Sequence, residues 1–452
     1  MAKRQRAKAY PRKVFFIEMF TRDISFEDCL LDLVDNSIDA LVENYGVQLS
    51  KEPFSDDRKS PQRIGSRRLP SIHVSYSKRR VSITDNCGGI SPRLAAEEAF
   101  RFGRDPGRRS TSLGVYGVGM KRALFKIGNH FSIESRTLDG GFKADVDLVD
   151  WAKRDETPQD WEIDLELTDA ATSAEHCGTT ITIGELHPDI ITVLEDDRLE
   201  GKLRRMISTT YTLFLGKYVV LKLNGKVVEP YLVPFGASDD VHIASESFEH
   251  DGVQIRLYAG LAARETDRAD WKGERAGWYV FCNGRAVLVA NKDEITGWSE
   301  DLPQWQPKYR GFLGMALLYS DDPLLLPWTT SKRGLNKESQ VYVITRNRMH
   351  GVARPVISFL NRMYKGEPVE SEPERKLTGR MSKLDIRDLK DVPNGEFRAE
   401  PRDRKRTSQR VCYEAPIRDI ERIRKRLRKP NMPYSQIGLH TFKYFLKKEC
   451  PE

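Results

Sequence analysis

The sequence predicts an α+β protein, and three patterns of apolar residues indicate this fold class. Residues 30–41 carry apolar side chains at the spacing of a helix with one buried face. Apolar and polar residues alternate over 72–76 and again over 81–83, which is typical of a β-hairpin. Three further alternating stretches are expected to complete a sheet: residues 131–149, 160–168 and 179–184.

The pattern starts again after about residue 200 and predicts a second domain. Asn224-Gly225 and Asn283-Gly284 each mark a tight turn between two strands. Past Lys365 the composition shifts to Glu, Lys, Arg and Pro, which is typical of a linker. We therefore expect a basic N-terminal arm over 1–14, a first domain over 15–200, a second domain over 201–365, a linker over 366–410 and a basic helical module over 411–452.

The composition is that of a water-soluble chain, with 31% charged and 39% hydrophobic residues. No apolar run approaches the roughly 18 residues that a membrane-spanning helix needs, so we expect no membrane association. The basic N-terminus has no apolar segment after it and does not predict a secretory signal. The 6 cysteines have no paired spacing, which argues against a zinc site or a disulfide framework. We expect a cytoplasmic protein, or a nuclear one in a eukaryote.

The net charge of +8 is concentrated at the two ends of the chain. Residues 1–13 carry six Lys or Arg and no acid, and residues 371–452 carry 22 basic against 13 acidic residues. The part between them is therefore net acidic. This distribution favours a polyanion held by the ends, although a basic tail that only aids solubility fits each end about as well.

Residues 30–40 read Leu-Leu-Asp-Leu-Val-Asp-Asn-Ser-Ile-Asp-Ala and hold the most informative polar pattern. On a helix, four polar residues share one face: Asp32, Asp35, Asn36 and Asp39. Such a row suits a hydrated Mg²⁺ that carries a nucleotide, because magnesium prefers oxygen ligands and keeps several waters. Taken alone, the row fits a solvated helix face equally well.

Three further motifs follow in order. Asp85 ends a predicted strand just before Gly89, so a carboxylate can accept a hydrogen bond from an exocyclic amine while a flat base approaches the backbone. Residues 114–121, Gly-Val-Tyr-Gly-Val-Gly-Met-Lys, offer backbone amides and the Lys121 charge to phosphates where a helix begins. The run Cys-Gly-Thr-Thr around Thr179 opens a later strand. Neither a P-loop nor a dinucleotide-binding spacing of glycines is present.

In this order the four motifs resemble the GHKL ATPase superfamily, which includes gyrase B, the ninety-kilodalton heat-shock chaperones, sensor histidine kinases, MutL and MORC proteins. The resemblance covers about residues 15–190, and its motifs are most similar to the MORC, gyrase and chaperone branch. It implies the Bergerat ATP-binding fold, a two-layer α/β sandwich, with ATP and Mg²⁺ as cofactors. Residues 203–365 resemble the transducer domain that follows the ATPase domain in gyrase B, MutL and MORC proteins.

The resemblance implies roles for the matching residues. Asn36 would coordinate Mg²⁺, Asp39 would support Asn36 as a structural partner, and Asp85 would bind the adenine amine. Residues 114–121 would close over the phosphates as part of the ATP lid. The nucleotide-binding candidates besides these three residues are Gly89, Gly114, Tyr116, Gly117, Val118, Gly119, Met120, Lys121 and Thr179.

Two positions depart from the family pattern, and one loop offers a further catalytic candidate. Asp32 stands where strongly hydrolysing members carry a glutamate as general base, so the carboxylate is one methylene shorter. Cys87 replaces the first glycine of the adenine motif. In relatives a transducer lysine reaches the terminal phosphate, and the loop Thr-Thr-Ser-Lys-Arg-Gly offers Lys332 for that role, with Arg333 as the weaker alternative; an ordinary basic turn also fits this loop.

The leading hypothesis is a slow ATPase that acts as an ATP-gated dimeric clamp. Its basic ends would hold nucleic acid, most simply double-stranded DNA, in MORC-like genome maintenance or antiviral (phage) defence. The alternatives are a chaperone-like ATPase that acts on protein, and a nucleotide-binding module with negligible hydrolysis, which the short Asp32 suggests. A partner protein is possible, and a topoisomerase subunit would require one. A sensor kinase is disfavoured because none of the 8 histidines lies before the acidic helix.

Overall fold

Two units make up the chain in the computed structural model, Met1–Glu400 and Pro401–Glu452. The structure describes residues 12–47, 69–103, 113, 117–154, 157–231, 233–264, 271–364, 377–386, 389, 392–399 and 414–450. No helix within these ranges is both long and apolar enough to cross a membrane.

An eight-stranded sheet carries the first half of the larger unit. Its strands in chain order are β1 (Ser71–Tyr76), β2 (Val81–Asp85), β3 (Gly128–Thr137), β4 (Gly140–Asp147), β5 (Glu166–Thr168), β6 (Gly178–Leu186), β7 (Val220–Leu223) and β8 (Lys226–Val227). Across the sheet the order is β5-β4-β3-β6-β2-β1-β7-β8, and only β1 and β7 run parallel. The predicted hairpin is β1 and β2, and the strands predicted over 131–149 and 179–184 are confirmed as β3, β4 and β6. Of the stretch 160–168, only Glu166–Thr168 is a strand, and Pro158–Trp161 forms a 3-10 turn. Since β7 and β8 join the same sheet, it extends past the predicted boundary at residue 200.

Seven helices accompany this sheet within the described residues: α1 (Lys13–Thr21), α2 (Phe26–Tyr45), α3 (Pro92–Leu94, continuing as a π-turn over Ala95–Ala99), α4 (Gly119–Ile127), α5 (Leu148–Lys153), α6 (Pro188–Leu194) and α7 (Leu199–Thr210). The Ser25 hydroxyl caps α2 by accepting from the Asp28 amide, and Gly46 ends it in a left-handed conformation. The apolar stripe of α2 is buried as predicted, and α2 packs against α4. The mixed fold agrees with the predicted α/β sandwich.

A second sheet follows in the larger unit. Its strands are β9 (Phe235–Ala237), β11 (Ala244–His250), β12 (Val253–Ala262), β13 (Gly277–Cys282), β14 (Arg285–Asn291), β15 (Phe312–Tyr319) and β16 (Ser382–Leu384). Two short strands, β10 (Val241–His242) and β17 (Arg398–Ala399), form a separate pair. The order is β14-β13-β15-β12-β9-β16, with β11 beside β12. Helix α8 (Gln340–Tyr364) packs on β12 and β15. Both predicted Asn-Gly turns occur, and each asparagine and glycine has a positive φ.

The expected linker over 366–410 is corrected in its described part. Strand β16 pairs with β9, and β17 pairs with β10. Leu377, Leu389 and Phe397 are buried among these strands and the rest of the core. A few apolar residues therefore anchor this segment although its average composition is charged.

The expected N-terminal arm over 1–14 is corrected at its end, because Lys13 and Val14 form the first turn of α1. The Lys13 side chain is buried, and its amine donates to the Trp151 carbonyl at 2.8 Å. That amine also lies 3.8 Å from the centroid of the Trp151 ring. A carbonyl and an aromatic face thus replace the water expected around this cation. Residues 1–11 lie outside the described residues.

The smaller unit contains two described helices, Ile417–Leu427 and Tyr434–Glu449. Arg428, in a left-handed conformation, ends the first helix two residues before Pro430. The Arg424 guanidinium donates to the Met432 carbonyl and lies 4.6 Å from the centroid of the Tyr434 ring. These contacts hold the two helices together.

Candidate functional site

Asp35 on α2 is a completely buried carboxylate at the centre of the candidate site. Its Oδ1 accepts hydrogen bonds from the Tyr211 hydroxyl at 2.7 Å and from Arg285 Nε at 3.0 Å, and its Oδ2 accepts one from Lys332 Nζ at 2.6 Å. Burial acts to raise the pKa of Asp35, but the charges of Arg285 and Lys332 outweigh it and lower that pKa. Asp35 is therefore ionised, and it joins α2 to three residues that come much later in the chain.

Lys332 lies where two acids of α2 can share its charge. Its side chain is buried, and its Nζ is 3.7 Å from Asp32 Oδ1 as well as bonded to Asp35. Its backbone has a φ of +54°, which is uncommon for a residue other than glycine. Its carbonyl accepts from Arg285 Nη1 at 2.7 Å, which helps to hold this conformation. The structure thus brings Lys332 to the acidic helix, and its contact with a phosphate stays a prediction.

Arg333, the alternative to Lys332, has a different contact. Its guanidinium forms an ion pair with Asp28 in the first turn of α2. Its side chain is also more exposed than that of Lys332, at 42% against 6%. Arg333 therefore contributes to the same interface without approaching the acidic row.

Asp32, the candidate base, is buried and paired with a residue that the sequence reasoning missed. Arg122 on α4 donates to Asp32 Oδ2 at 2.7 Å. The Nε atom of Arg122 is buried without a hydrogen-bond partner. A Cβ added at Gly119 would lie 3.1 Å from the Asp32 carboxyl carbon, so the start of α4 passes close to this group. Asp32 is therefore enclosed by α4 on one side and by Lys332 on another.

Asn36 and Asp39 occupy the next positions of the acidic row. The amide nitrogen of Asn36 is buried without a hydrogen-bond partner, so the fold does not use this amide fully. Asp39 accepts a hydrogen bond from the Leu113 amide, close to the glycine-rich segment. The described residues contain no group of three or more His, Cys, Asp or Glu that could hold a metal. The side-chain oxygen of Asn36, and not its nitrogen, would be the single protein ligand of a Mg²⁺ ion, with phosphates and waters as the other ligands.

Asp85 lies at the end of β2 in a second buried pocket of polar groups. Its carboxylate accepts hydrogen bonds from the Ser37 hydroxyl at 2.7 Å and from the Cys87 amide at 2.9 Å. Burial raises the pKa of Asp85, and the hydrogen bonds from Cys87 and Ser37 offset this only in part. Thr179 is its partner in the β2–β6 register, and the Thr179 hydroxyl lies 2.8 Å from the Ser135 hydroxyl. Sequence reasoning missed Ser37, whose only signal was its place directly after Asn36.

Gly89, the glycine predicted beside Asp85, packs closely against the backbone of β3. Its φ is +77°, and a Cβ there would lie 2.2 Å from the Arg136 carbonyl oxygen. Any side chain would therefore displace β3. This contact supports a structural need for glycine, and its part in binding a base stays a prediction.

The lid candidates are described only in part. Gly114 and Tyr116 lie outside the described residues, whereas Gly117 has a φ of +60° and Val118, Gly119 and Met120 lead into α4. The Lys121 amine donates to the carbonyls of Ala99 and Arg101, at 3.0 and 2.6 Å. Burial lowers the pKa of Lys121 to about 8, so it is still mainly protonated at neutral pH. These two hydrogen bonds of Lys121 hold α4 to the preceding segment. They do not support the predicted contact of Lys121 with a phosphate, which stays a prediction.

One part of the chain is similar to a known family. Residues 24–179 match the family of histidine kinase-, DNA gyrase B-, and HSP90-like ATPases. This match supports an ATPase-like domain of the GHKL type over these residues, and with it ATP binding. Tyr211, Arg285 and Lys332 lie outside the matched range. No curated protein matches the chain.

We predict that Asp35→Ala destabilises the larger unit by about 3–5 kcal/mol, because it leaves two buried cations without their shared carboxylate. Thermal unfolding followed by circular dichroism measures this, with Asp145→Ala at a half-exposed position as the control, expected to stay within about 0.5 kcal/mol. Since the folded state lowers the pKa of Asp35, its contribution is present above the unfolded pKa and is lost as pH falls through the folded one. Equal melting of both variants would contradict this role.

Proposed function

We propose that this chain is an ATP-hydrolysing, ATP-gated dimeric clamp on nucleic acid. The observation that carries the proposal is the position of Lys332, whose amine is bonded to Asp35 and lies 3.7 Å from Asp32 on the helix of the ATPase-like domain. A lysine held there can exchange its carboxylate partners for a terminal phosphate. Such an exchange is a two-state switch that would change the placement of the second sheet.

The nucleotide would be bound by residues on two sides of α2. On one side Asp85 would accept from the adenine amine, beside Gly89 and Thr179. On the other side Asn36 would hold Mg²⁺, which supplies charge neutralisation for the phosphates. The peptide amides from Gly117 to Lys121, at the start of α4, would face the phosphates. In the same proposal, residues 201–365 would act as a transducer domain, and the domain boundaries would be those predicted from the sequence.

Asp32 would activate the attacking water. A general base must come within about 3 Å of the proton that it takes, directly or through one water. The short side chain of Asp32 and its ion pair with Arg122 at 2.7 Å both limit that approach. We therefore infer slow turnover.

Nucleic acid would be held through the basic ends. In the described part of the smaller unit, the helix Ile417–Leu427 has three basic residues in its last turn and no buried residue. A charged, exposed helix of this kind contacts phosphates without reading sequence, and its binding is sensitive to salt. A role in genome maintenance or antiviral defence follows only if duplex DNA is the partner.

We predict that Asp85→Asn weakens ATP binding by at least about tenfold, because a charge-assisted hydrogen bond is worth about 1.5–3 kcal/mol. Isothermal titration calorimetry measures this, with Asp145→Asn as the control. Burial raises the pKa of Asp85, so wild-type affinity should weaken as pH is lowered towards that pKa. Asp85→Asn should lack this pH dependence. An unchanged affinity would remove Asp85 from the site.

We predict that a non-hydrolysable ATP analogue dimerises the wild type but neither Gly117→Ala nor Lys332→Met, because the first strains the lid and the second removes the phosphate contact. Light scattering after size-exclusion chromatography measures the mass. Gly216→Ala is the matched control, since Gly216 also has a positive φ, +71°, and open space around it. Dimerisation of Gly117→Ala equal to that of Gly216→Ala would contradict the clamp.

A nucleotide-binding module with negligible hydrolysis is the second candidate, and the Asp32–Arg122 ion pair favours it. Under the clamp proposal we predict measurable turnover that falls by about 10²–10⁴-fold in Asp32→Asn, as expected for loss of a general base. Duplex DNA should stimulate wild-type turnover, and the stimulation should fade as salt increases. Phosphate release measures both effects. Turnover that is absent in the wild type or unchanged in Asp32→Asn would favour the module.

A further inference from the structure

A cleft of about 640 Å³ on the larger unit has no part in the proposed nucleotide site. Its polar and aromatic lining residues are Arg204, Arg205, Ser208, Glu229, Tyr231 and Arg275. Three of them are arginines, and Glu229 is the one acid that lines the cleft among the described residues. The cleft is therefore net positive in a part of the chain that is net acidic.

The Tyr231 ring holds two of the arginines in place. The guanidinium carbons of Arg205 and Arg275 lie 5.6 and 5.8 Å from the centroid of this ring. A guanidinium over an aromatic ring is pre-oriented, and its planar fork of N–H groups can still reach an oxyanion. Arg205 is exposed and Arg275 is half-buried, so both border the open side of the cleft.

The other polar side chains have mainly structural contacts. Arg204 donates to the Val227 carbonyl at 2.9 Å and to Glu200 at 3.1 Å. The Ser208 hydroxyl donates to the Glu229 carbonyl at 2.6 Å, which leaves its lone pairs for a donor. Arg204 contributes charge to the cleft, and Arg205 and Arg275, which border its open side, are the groups that we expect to contact a ligand.

We propose that this cleft binds the phosphate groups of a nucleic-acid backbone through Arg205 and Arg275. Guanidinium groups bind phosphate oxygens in a bidentate manner, and the cleft is larger than one phosphate requires. That the ligand carries phosphate groups is inferred from the arginines themselves. That these phosphates belong to nucleic acid rests on the proposed function. The cleft would add a binding site in the body of the protein to those at its basic ends.

The cleft also has a direct structural link to the nucleotide site. Arg205 and Ser208 lie on α7, and Tyr211 directly after this helix donates to Asp35. Lys202 in the same helix forms an ion pair with Glu27 at the start of α2. Helix α7 thus carries three of the cleft residues, Arg204, Arg205 and Ser208, and its Lys202 and the following Tyr211 both contact α2, so binding of a nucleic-acid backbone here is suited to influence ATP turnover.

The test is the salt dependence of duplex binding, measured by fluorescence anisotropy with a labelled duplex of about 20 base pairs over about 50–200 mM salt. The slope of log K against log salt is negative. The double variant Arg205→Ala/Arg275→Ala should make it shallower by about 2, since each lost phosphate contact reduces its magnitude by about 0.9. The control is Arg154→Ala/Arg362→Ala, with Arg362 an exposed arginine 6.0 Å from the Phe359 ring centroid. The control should keep the wild-type slope.

Two results would overturn the inference in different ways. If the wild type and the cleft double variant bind the duplex with the same slope, the cleft is not the site, and the clamp function remains. If the wild type binds no duplex but binds inorganic tripolyphosphate, and the cleft double variant does not, the nucleic-acid source and the proposed function both fail. Arg205 is exposed, so Arg205→Ala alone should fold, and it should make the slope shallower by about 1. This single variant keeps the test decisive if the double variant does not fold.

Discussion

The buried carboxylate of Asp35 is the constraint on which the rest of this site depends. A charge without access to water needs opposite charges and hydrogen bonds around it, since its desolvation costs several kcal/mol. Tyr211, Arg285 and Lys332 supply these, and all three come from outside the matched ATPase-like range. The need to satisfy one carboxylate therefore determines where the later part of the chain meets α2. The same need holds Lys332 within reach of the acidic row.

Helix α2 gives each polar side chain a different neighbour because successive residues turn by about 100°. Asp32 contacts α4, Asp35 contacts the later segments, and Asp39 contacts the amide of Leu113. Ser37 points towards the end of β2, where it donates to Asp85. Asp32 and Asp35 are buried and Asn36 and Asp39 are half-buried, so the acidic row is not a solvated face, whereas Glu43 and Asn44 near the end of the helix are exposed. Only Asn36 retains a buried amide nitrogen without a partner in this row.

Local patterns predicted much of this fold, because local patterns depend on local geometry. The hairpin of β1 and β2, the Asn-Gly turns and the buried stripe of α2 all follow from residue spacing. The partners of the acids could not be predicted, since Arg122 and Arg285 lie 90 and 250 residues from the acids that they contact. No local signal distinguishes these arginines from the many exposed ones. The segment 377–399 was predicted as linker for a related reason, because β16 gains its stability from a distant strand, β9.

Arg285 and Lys332 hold the same carboxylate, but they are suited to different roles in the proposed clamp. Arg285 donates to Asp35 and also to the Lys332 carbonyl, so it joins the loop to α2 through atoms that do not depend on the lysine amine. If Lys332 moves to a phosphate, Asp35 keeps Arg285 and Tyr211 and is not left buried without partners. The loss of one donor of three costs much less than the loss of a sole partner. The interface would therefore stay joined while Lys332 contacts a phosphate in the proposed clamp, and Asp32 would then lose one of the two cations beside it.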